Sequence, residues 1–404
     1  MLIVNAHADH GKALDVGDAA CLDVVAASEA ERFLALRPDH APTPLVALAG
    51  LAGALGLASI HIKDEGQRLG LGSFKALGGA YAVVRLVVEE AARRLGRRVD
   101  MSEFRAPEIR AVAAGLTLAC ATDGNHGRSV AQGARLAGAN CVIFVHAGVS
   151  DQRVEAIARF GAKMVRVAGT YDDSVTEAAR VANENNWIIV SDTSWPGYER
   201  IPRLVMQGYT VLLREALRQL PEPPTHVFVQ AGVGGIAAAV AGHFALVFGA
   251  GRPFVVVVDP ARAACLFESA RAGRPVKIAH GEPTVMAMLE CYEPSLVAWR
   301  VLSRAADAFM TVDDGEAIDV MKRLASPVPG DPVIVAGESG GAGLAGLIQV
   351  ARDPVLRETI GLGPDARAFL INTEGATDPL LYERLVGRKP GDVARVSRNG
   401  RMTE

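Results

Sequence analysis

The sequence predicts an α/β protein of two doubly wound lobes, each a largely parallel sheet covered by helices. Three observations carry this. The chain has 404 residues, and a single hydrophobic core stops growing near about 250–300, so more than one folding unit is needed. Half the residues are hydrophobic and only 5% aromatic, with 42 glycines beside them, a composition of close-packed aliphatic layers rather than disorder. Short β-branched runs alternate with Ala-rich helical stretches, the pattern of βαβ units whose strands are buried on both faces.

In chain order, CVIFVH (141–146) reads as a strand, 152–160 as a helix stopped by Gly161, and AKMVRV (162–167) as the next strand. A helix over 177–185 leads to the strand WIIVSD (187–192). The stiff PEPP tract at 221–224 is the expected lobe boundary. Beyond it come the strand THVFVQ (225–230), a helix over 236–248 and the strand PFVVVVD (253–259). VIVAGES (333–339) reads as a strand, a small-residue helix starts at Gly343, and AFLINTEG (368–375) is the last strand. The expected division is an N-terminal segment and start of the large lobe over 1–75, mainly the small lobe over 76–210, the rest of the large lobe over 211–388, and a loosely held polar tail over 389–404.

Forty-two basic residues against 45 acidic ones leave a net charge of −3, too small a field to recruit nucleic acid or an anionic membrane. Mean hydropathy is +0.21, and the stretches 41–62 and 227–251 are uncharged and long enough to span a bilayer. Glycines and prolines interrupt the first, and Gln230, His243 and a glycine cluster the second, so neither is read as a membrane span. Five cysteines without CxxC spacing read as reduced thiols, and the start MLIVNAHADHGKALD does not read as a secretory signal; a cytoplasmic protein is expected. The nine histidines form no HExxH and no Cys/His cluster, so no metal is expected.

Three segments carry chemistry. In QAGVGGIA, Gly232, Val233, Gly234 and Gly235 stand between a strand and a helix, and Asp259 ends the next strand, as in a dinucleotide fingerprint. The physical content is narrower: glycines admit an anion to the backbone, and the first N–H groups of the helix donate to it. A lone phosphate, a dinucleotide or a tight structural turn each satisfies that pattern. In SFKALGG, Lys75 stands among small and apolar residues where an ammonium is poorly solvated, which lowers its pKa and frees the amine for a Schiff base. An ordinary surface lysine is the alternative. In ATDGNHG, the loop of Thr122, Asp123, Gly124, Asn125 and His126 runs into an Ala-rich helix whose N–H groups suit a carboxylate, with Asp123 a candidate base; a capped helix start is the alternative.

Together with PTPL (42–45), GTYDDSV (169–175), SDTSWPGYERIP (191–202), MQGY (206–209), GESGGAG (337–343) and INTEGATD (371–378), these segments resemble the fold-type II pyridoxal-phosphate (PLP) enzymes, the tryptophan synthase β and threonine dehydratase group. Within it they look most like the diaminopropionate ammonia-lyases. The resemblance implies the tryptophan synthase β-like architecture and a homodimer. It implies that Lys75 holds PLP as a Schiff base, with Phe74 beside the pyridine ring, Asn125 on the 3′-hydroxyl, Gly232, Val233, Gly234 and Gly235 on the phosphate, and Thr373 as a neutral group at the ring nitrogen. It also implies elimination from both enantiomers of 2,3-diaminopropionate to pyruvate and ammonia. Lys75 is then the base for the L isomer, Asp123 the base for the D isomer, and Asp192 the carboxylate on the distal amine, with Thr122, Gly124 and His126 lining the substrate site.

One stretch departs from the family. Where it reads TIMAGLACGEP, this chain has TVMAMLECYEP (284–294), with Met288 replacing a glycine and Glu290 and Tyr292 replacing small residues. Gly72 stands where the family often has asparagine. A serine or threonine dehydratase is the alternative within the cofactor class, and Asp123 argues against it because dehydratases carry serine there. An NAD-dependent dehydrogenase is the alternative outside the class, and it leaves Lys75 and the asparagine loop without a task.

Overall fold

Eleven strands form two sheets among the described residues of the computed structural model, which are 1–122 and 124–400, with side chains as far as 395. The strands are β1 (Leu2–Val4), β2 (Leu45–Ala47), β3 (Ser59–Asp64), β4 (Thr117–Ala121), β5 (Asn140–His146), β6 (Lys163–Val167), β7 (Ile188–Ile189), β8 (His226–Gln230), β9 (Phe254–Pro260), β10 (Ala308–Val312) and β11 (Arg367–Asn372). The chain divides into two units. Unit 1 comprises Met1–Val24, Ala41–Phe74 and Leu212–Glu404; unit 2 comprises Val25–His40 and Lys75–Val211. The boundary next to the candidate lysine thus falls at the Phe74–Lys75 peptide bond.

Unit 1 holds the seven-stranded sheet β1-β10-β9-β8-β11-β3-β2. Its five inner strands pair in parallel, and β1 and β2 close the edges antiparallel. Every residue of β8 is buried, its apolar centre over 227–229 flanked by His226 and Gln230, as expected for a strand with helices over both faces. Unit 2 holds the four-stranded parallel sheet β6-β5-β4-β7. The uncharged stretches resolve into β2, a short helix and β3, and into β8 with the helix Gly235–Phe248; among the described residues no helix is long and apolar enough to cross a membrane.

Four expectations need correction. Residues 333–339 form no strand, because β8 and β11 already have neighbours on both sides. Instead the Gly337 N–H donates to the Glu374 carbonyl at 3.0 Å, and a Cβ on Gly337 would lie 2.4 Å from the Gly375 carbonyl, so only glycine permits the approach. The strand expected over 187–192 shrinks to Ile188–Ile189, because beyond Val190 the backbone leaves the ladder toward Asp192. The 221–224 tract lies wholly inside unit 1, and the division falls at Val211 and Leu212, within the continuous helix Arg200–Gln219. Lastly, Pro390–Gly400 is a helix, and Val393 is fully buried with Met321, Ala325 and Tyr382, so that part of the tail is docked.

Candidate active site

In unit 2, Lys75 opens the helix Lys75–Leu95, and the turn behind it packs backbone to backbone. A Cβ on Gly78 would meet Tyr209 Cε1 at 2.4 Å, and one on Gly208 would meet Gly78 Cα at 2.7 Å. The two glycines therefore set how closely the helix carrying Lys75 approaches the stretch 205–209. The Lys75 amine donates to Asp192 Oδ2. Burial alone would raise the Asp192 carboxyl pKa, but the Lys75 ammonium outweighs it and holds that carboxyl well below the usual carboxylate range.

Asp192 is held in place by Tyr198. The Tyr198 hydroxyl accepts from the Ser191 N–H at 3.0 Å and donates to the Ile189 carbonyl at 2.8 Å, while its ring stacks on Trp195 at 4.0 Å. His126 Nδ1 lies 4.0 Å from Asp192 Oδ2. Asn125 is buried in the first turn of the helix Asn125–Ala137. Thr122 Oγ1 accepts from the N–H groups of Gly124 and Gly127, each at 3.1 Å, and so shapes the loop into that helix. Lys75, Asp192 and His126 are thus brought together, with Thr122 on the adjoining loop and Asn125 at the start of the helix that carries His126. Asp123 lies outside the described residues.

In unit 1, Gly234 adopts φ +99° and opens the helix Gly235–Phe248, whose first turn carries neither a side-chain cap nor an acidic residue. A Cβ on Gly232 would lie 2.9 Å from Cys291 Sγ, so any side chain there would collide with the 289–291 segment. That segment is the departure from the family pattern. Glu290 accepts from the Tyr292 hydroxyl at 2.7 Å and from the Thr284 N–H at 3.2 Å, and Met288 N–H donates to Ser339 Oγ at 3.3 Å. The two polar replacements satisfy each other. Burial and the Glu290 carboxylate push the Tyr292 phenol up to about 12.

Thr373 follows β11, and its carbonyl accepts from the Phe74 N–H at 3.0 Å, which ties the residue before the lysine to this strand end. Gln230 Nε2 donates to Thr373 Oγ1 at 2.9 Å and to the Gly340 carbonyl at 2.6 Å. With its oxygen already accepting, the Thr373 hydroxyl keeps its hydrogen for another acceptor. Asp259 does not serve a ribose: it is buried, and its Oδ2 accepts from the Leu266 and Phe267 N–H groups, each at 2.9 Å. The dinucleotide alternative thereby loses its acidic residue.

The family model described as pyridoxal-phosphate dependent enzyme matches residues 36–371. The chain belongs to that family. It is 38% identical over 354 residues to diaminopropionate ammonia-lyase of Escherichia coli strain K12, covering 86% of this chain and 87% of that protein. It is also 38% identical, over 359 residues, to diaminopropionate ammonia-lyase of Salmonella typhimurium, covering 86% and 89%. The fold matches the crystal structure of the E. coli enzyme in complex with an aminoacrylate-PLP azomethine reaction intermediate, with a TM-score of 0.84 and 34% identity over 96% of both chains.

The donor set fits PLP. In unit 1 a helix with ten buried residues leaves its first N–H groups without side-chain acceptors, and these N–H groups could hold a phosphate. In unit 1 the Thr373 hydroxyl has a hydrogen that an unprotonated ring nitrogen could accept, and in unit 2 Lys75 carries an amine that could take the aldehyde. Tyr198 pins the backbone of Ser191 and Ile189 in unit 2 and Gln230 binds Thr373 in unit 1; both residues lie in motifs quoted above, but the motifs do not point to these bonds.

Proposed function

We propose that this protein eliminates the side-chain amino group of 2,3-diaminopropionate and, with one water, yields pyruvate and two ammonia molecules. The observation that carries the reading is the Asp192 carboxylate held against the Lys75 amine, an anionic spot suited to a second amino group on the substrate. The relatives named diaminopropionate ammonia-lyase support the same substrate. PLP, when bound, supplies the electron sink that makes the substrate α-proton acidic. Lys75 Nζ takes that proton from the L isomer and Asp123 takes it from the D isomer on the opposite face. Asp192, fixed by Tyr198, orients the distal ammonium. The Gly232–Gly235 backbone, Asn125, Phe74 and Thr373 hold the cofactor. The reading includes a cytoplasmic homodimer, supported by the composition and the family resemblance.

Release of ammonia and pyruvate is measured with D- and L-diaminopropionate, serine and threonine. Diaminopropionate is expected as the best substrate by kcat/KM, and a preference for serine or threonine would overturn the reading in favour of a dehydratase. Asp123→Asn is expected to lower kcat on the D isomer by at least about 100-fold and to change the L isomer by less than about 3-fold. Equal loss on both isomers sinks the two-base assignment.

A further inference from the structure

His126 is buried, with 6% exposure, in the first turn of its helix. Its Nε2 lies 3.0 Å from the Val190 carbonyl oxygen. A carbonyl only accepts, so Nε2 carries a hydrogen and Nδ1 of the neutral ring is an acceptor. That Nδ1 is buried without a hydrogen-bond partner. It faces Asp192 Oδ2 at 4.0 Å, too far for the direct bond of about 2.8 Å that a protonated ring would make with a carboxylate. Burial lowers the ring's pKa, in keeping with a neutral imidazole.

Two acceptors at this spacing suit a single nitrogen seated about 2.8 Å from each, using two of its N–H bonds. Asp192 already accepts an ammonium, that of Lys75. A hydroxyl has one hydrogen and satisfies only one of the two.

We propose that His126 Nδ1 and Asp192 Oδ2 form an acceptor-only clamp for the side-chain ammonium of the substrate and select diaminopropionate over serine. This rests on the elimination reading above and assigns its specificity. The chemistry agrees with the donor count. Once the α-proton has been removed, the electrons of that C–H bond form the Cα–Cβ double bond. The Cβ–N bond breaks with its pair going to nitrogen, and the group leaves as neutral ammonia with the protons it already carries. Loss of hydroxide from serine needs a proton delivered to the leaving oxygen; neither Nδ1 nor Oδ2 carries one, so it would have to come from Lys75, the donor already bound to Oδ2.

The test compares His126→Leu, which removes both ring interactions, with His126→Gln, which keeps a donor for Val190 and offers an acceptor oxygen. His126→Leu is expected to reduce the ratio of kcat/KM on diaminopropionate to that on serine by at least about 10-fold, with His126→Gln within about 3-fold of the parent. An unchanged ratio in His126→Leu overturns the clamp. If that variant does not fold, 15N NMR of histidine-labelled holoenzyme decides, with the His126 signals identified by their loss in His126→Gln. An unprotonated Nδ1 supports the clamp and a protonated one overturns it. A parent enzyme that releases no ammonia from diaminopropionate instead sinks the elimination reading, whatever the NMR shows.

Discussion

The carboxyl of Asp259 does a task that its position at a strand end does not announce. It caps the turn at Leu266 and Phe267 with one oxygen, while the other is buried without a partner. Burial pushes its pKa up from the ordinary 3.8 to about 8, against the pull of the two N–H groups. The unfolded chain releases this proton near pH 3.8 and the folded chain holds it to about 8. Between those values the native state binds one more proton, so stability falls as pH rises, by at most about 1.4 kcal/mol per unit. Asp259→Asn keeps an acceptor for both N–H groups and cannot titrate. The melting temperature of the parent minus that of the variant should therefore decline from pH 5 to pH 8. A difference flat over that range would show an ordinary, ionised carboxylate.

Among the elements, β5, β8 and β9 were legible because a buried parallel strand needs little more than a short run of Val, Ile and Phe, and such runs stand alone in the sequence. Residues 333–339 carry the same kind of run yet form a loop, since strand formation also needs a vacant edge and pattern says nothing about vacancy. Within unit 2 the pairing of Lys75 with Asp192 was not legible from spacing, since 117 residues separate them, and within unit 1 the Gln230–Thr373 bond spans 143 residues; only the tertiary fold creates either contact. Glycines divide in the same way. Gly78 and Gly53 look alike in sequence, but a Cβ on Gly78 meets the Val205 carbonyl at 2.6 Å, and one on Gly53 meets nothing within 4 Å. Gly78→Ala is expected to cost about 1–3 kcal/mol by overpacking and to weaken PLP retention, because the strain falls one turn from Lys75. Gly53→Ala, in a helix interior, should be neutral or stabilising by up to about 1 kcal/mol. Thermal melts with visible absorbance check both, and equal effects of the two substitutions would refute the packing argument.

For the molecule as a whole, cofactor and fold are thermodynamically linked. The helix Gly235–Phe248 buries ten residues, yet its first turn has no side-chain acceptor for the N–H groups left over by helix geometry. Without an anion those donors weaken the native state, and a ligand that binds only the folded chain adds RT ln(1 + [L]/Kd), about 4 kcal/mol at a thousandfold excess over Kd. Removing PLP with hydroxylamine and dialysis is therefore expected to lower the melting temperature, and adding PLP back to restore it. Pyridoxal, which presents the same aldehyde to Lys75 but no phosphate, should restore clearly less, and inorganic phosphate alone should restore part. If pyridoxal stabilises as well as PLP, the glycine loop is a structural turn and the phosphate must be held elsewhere.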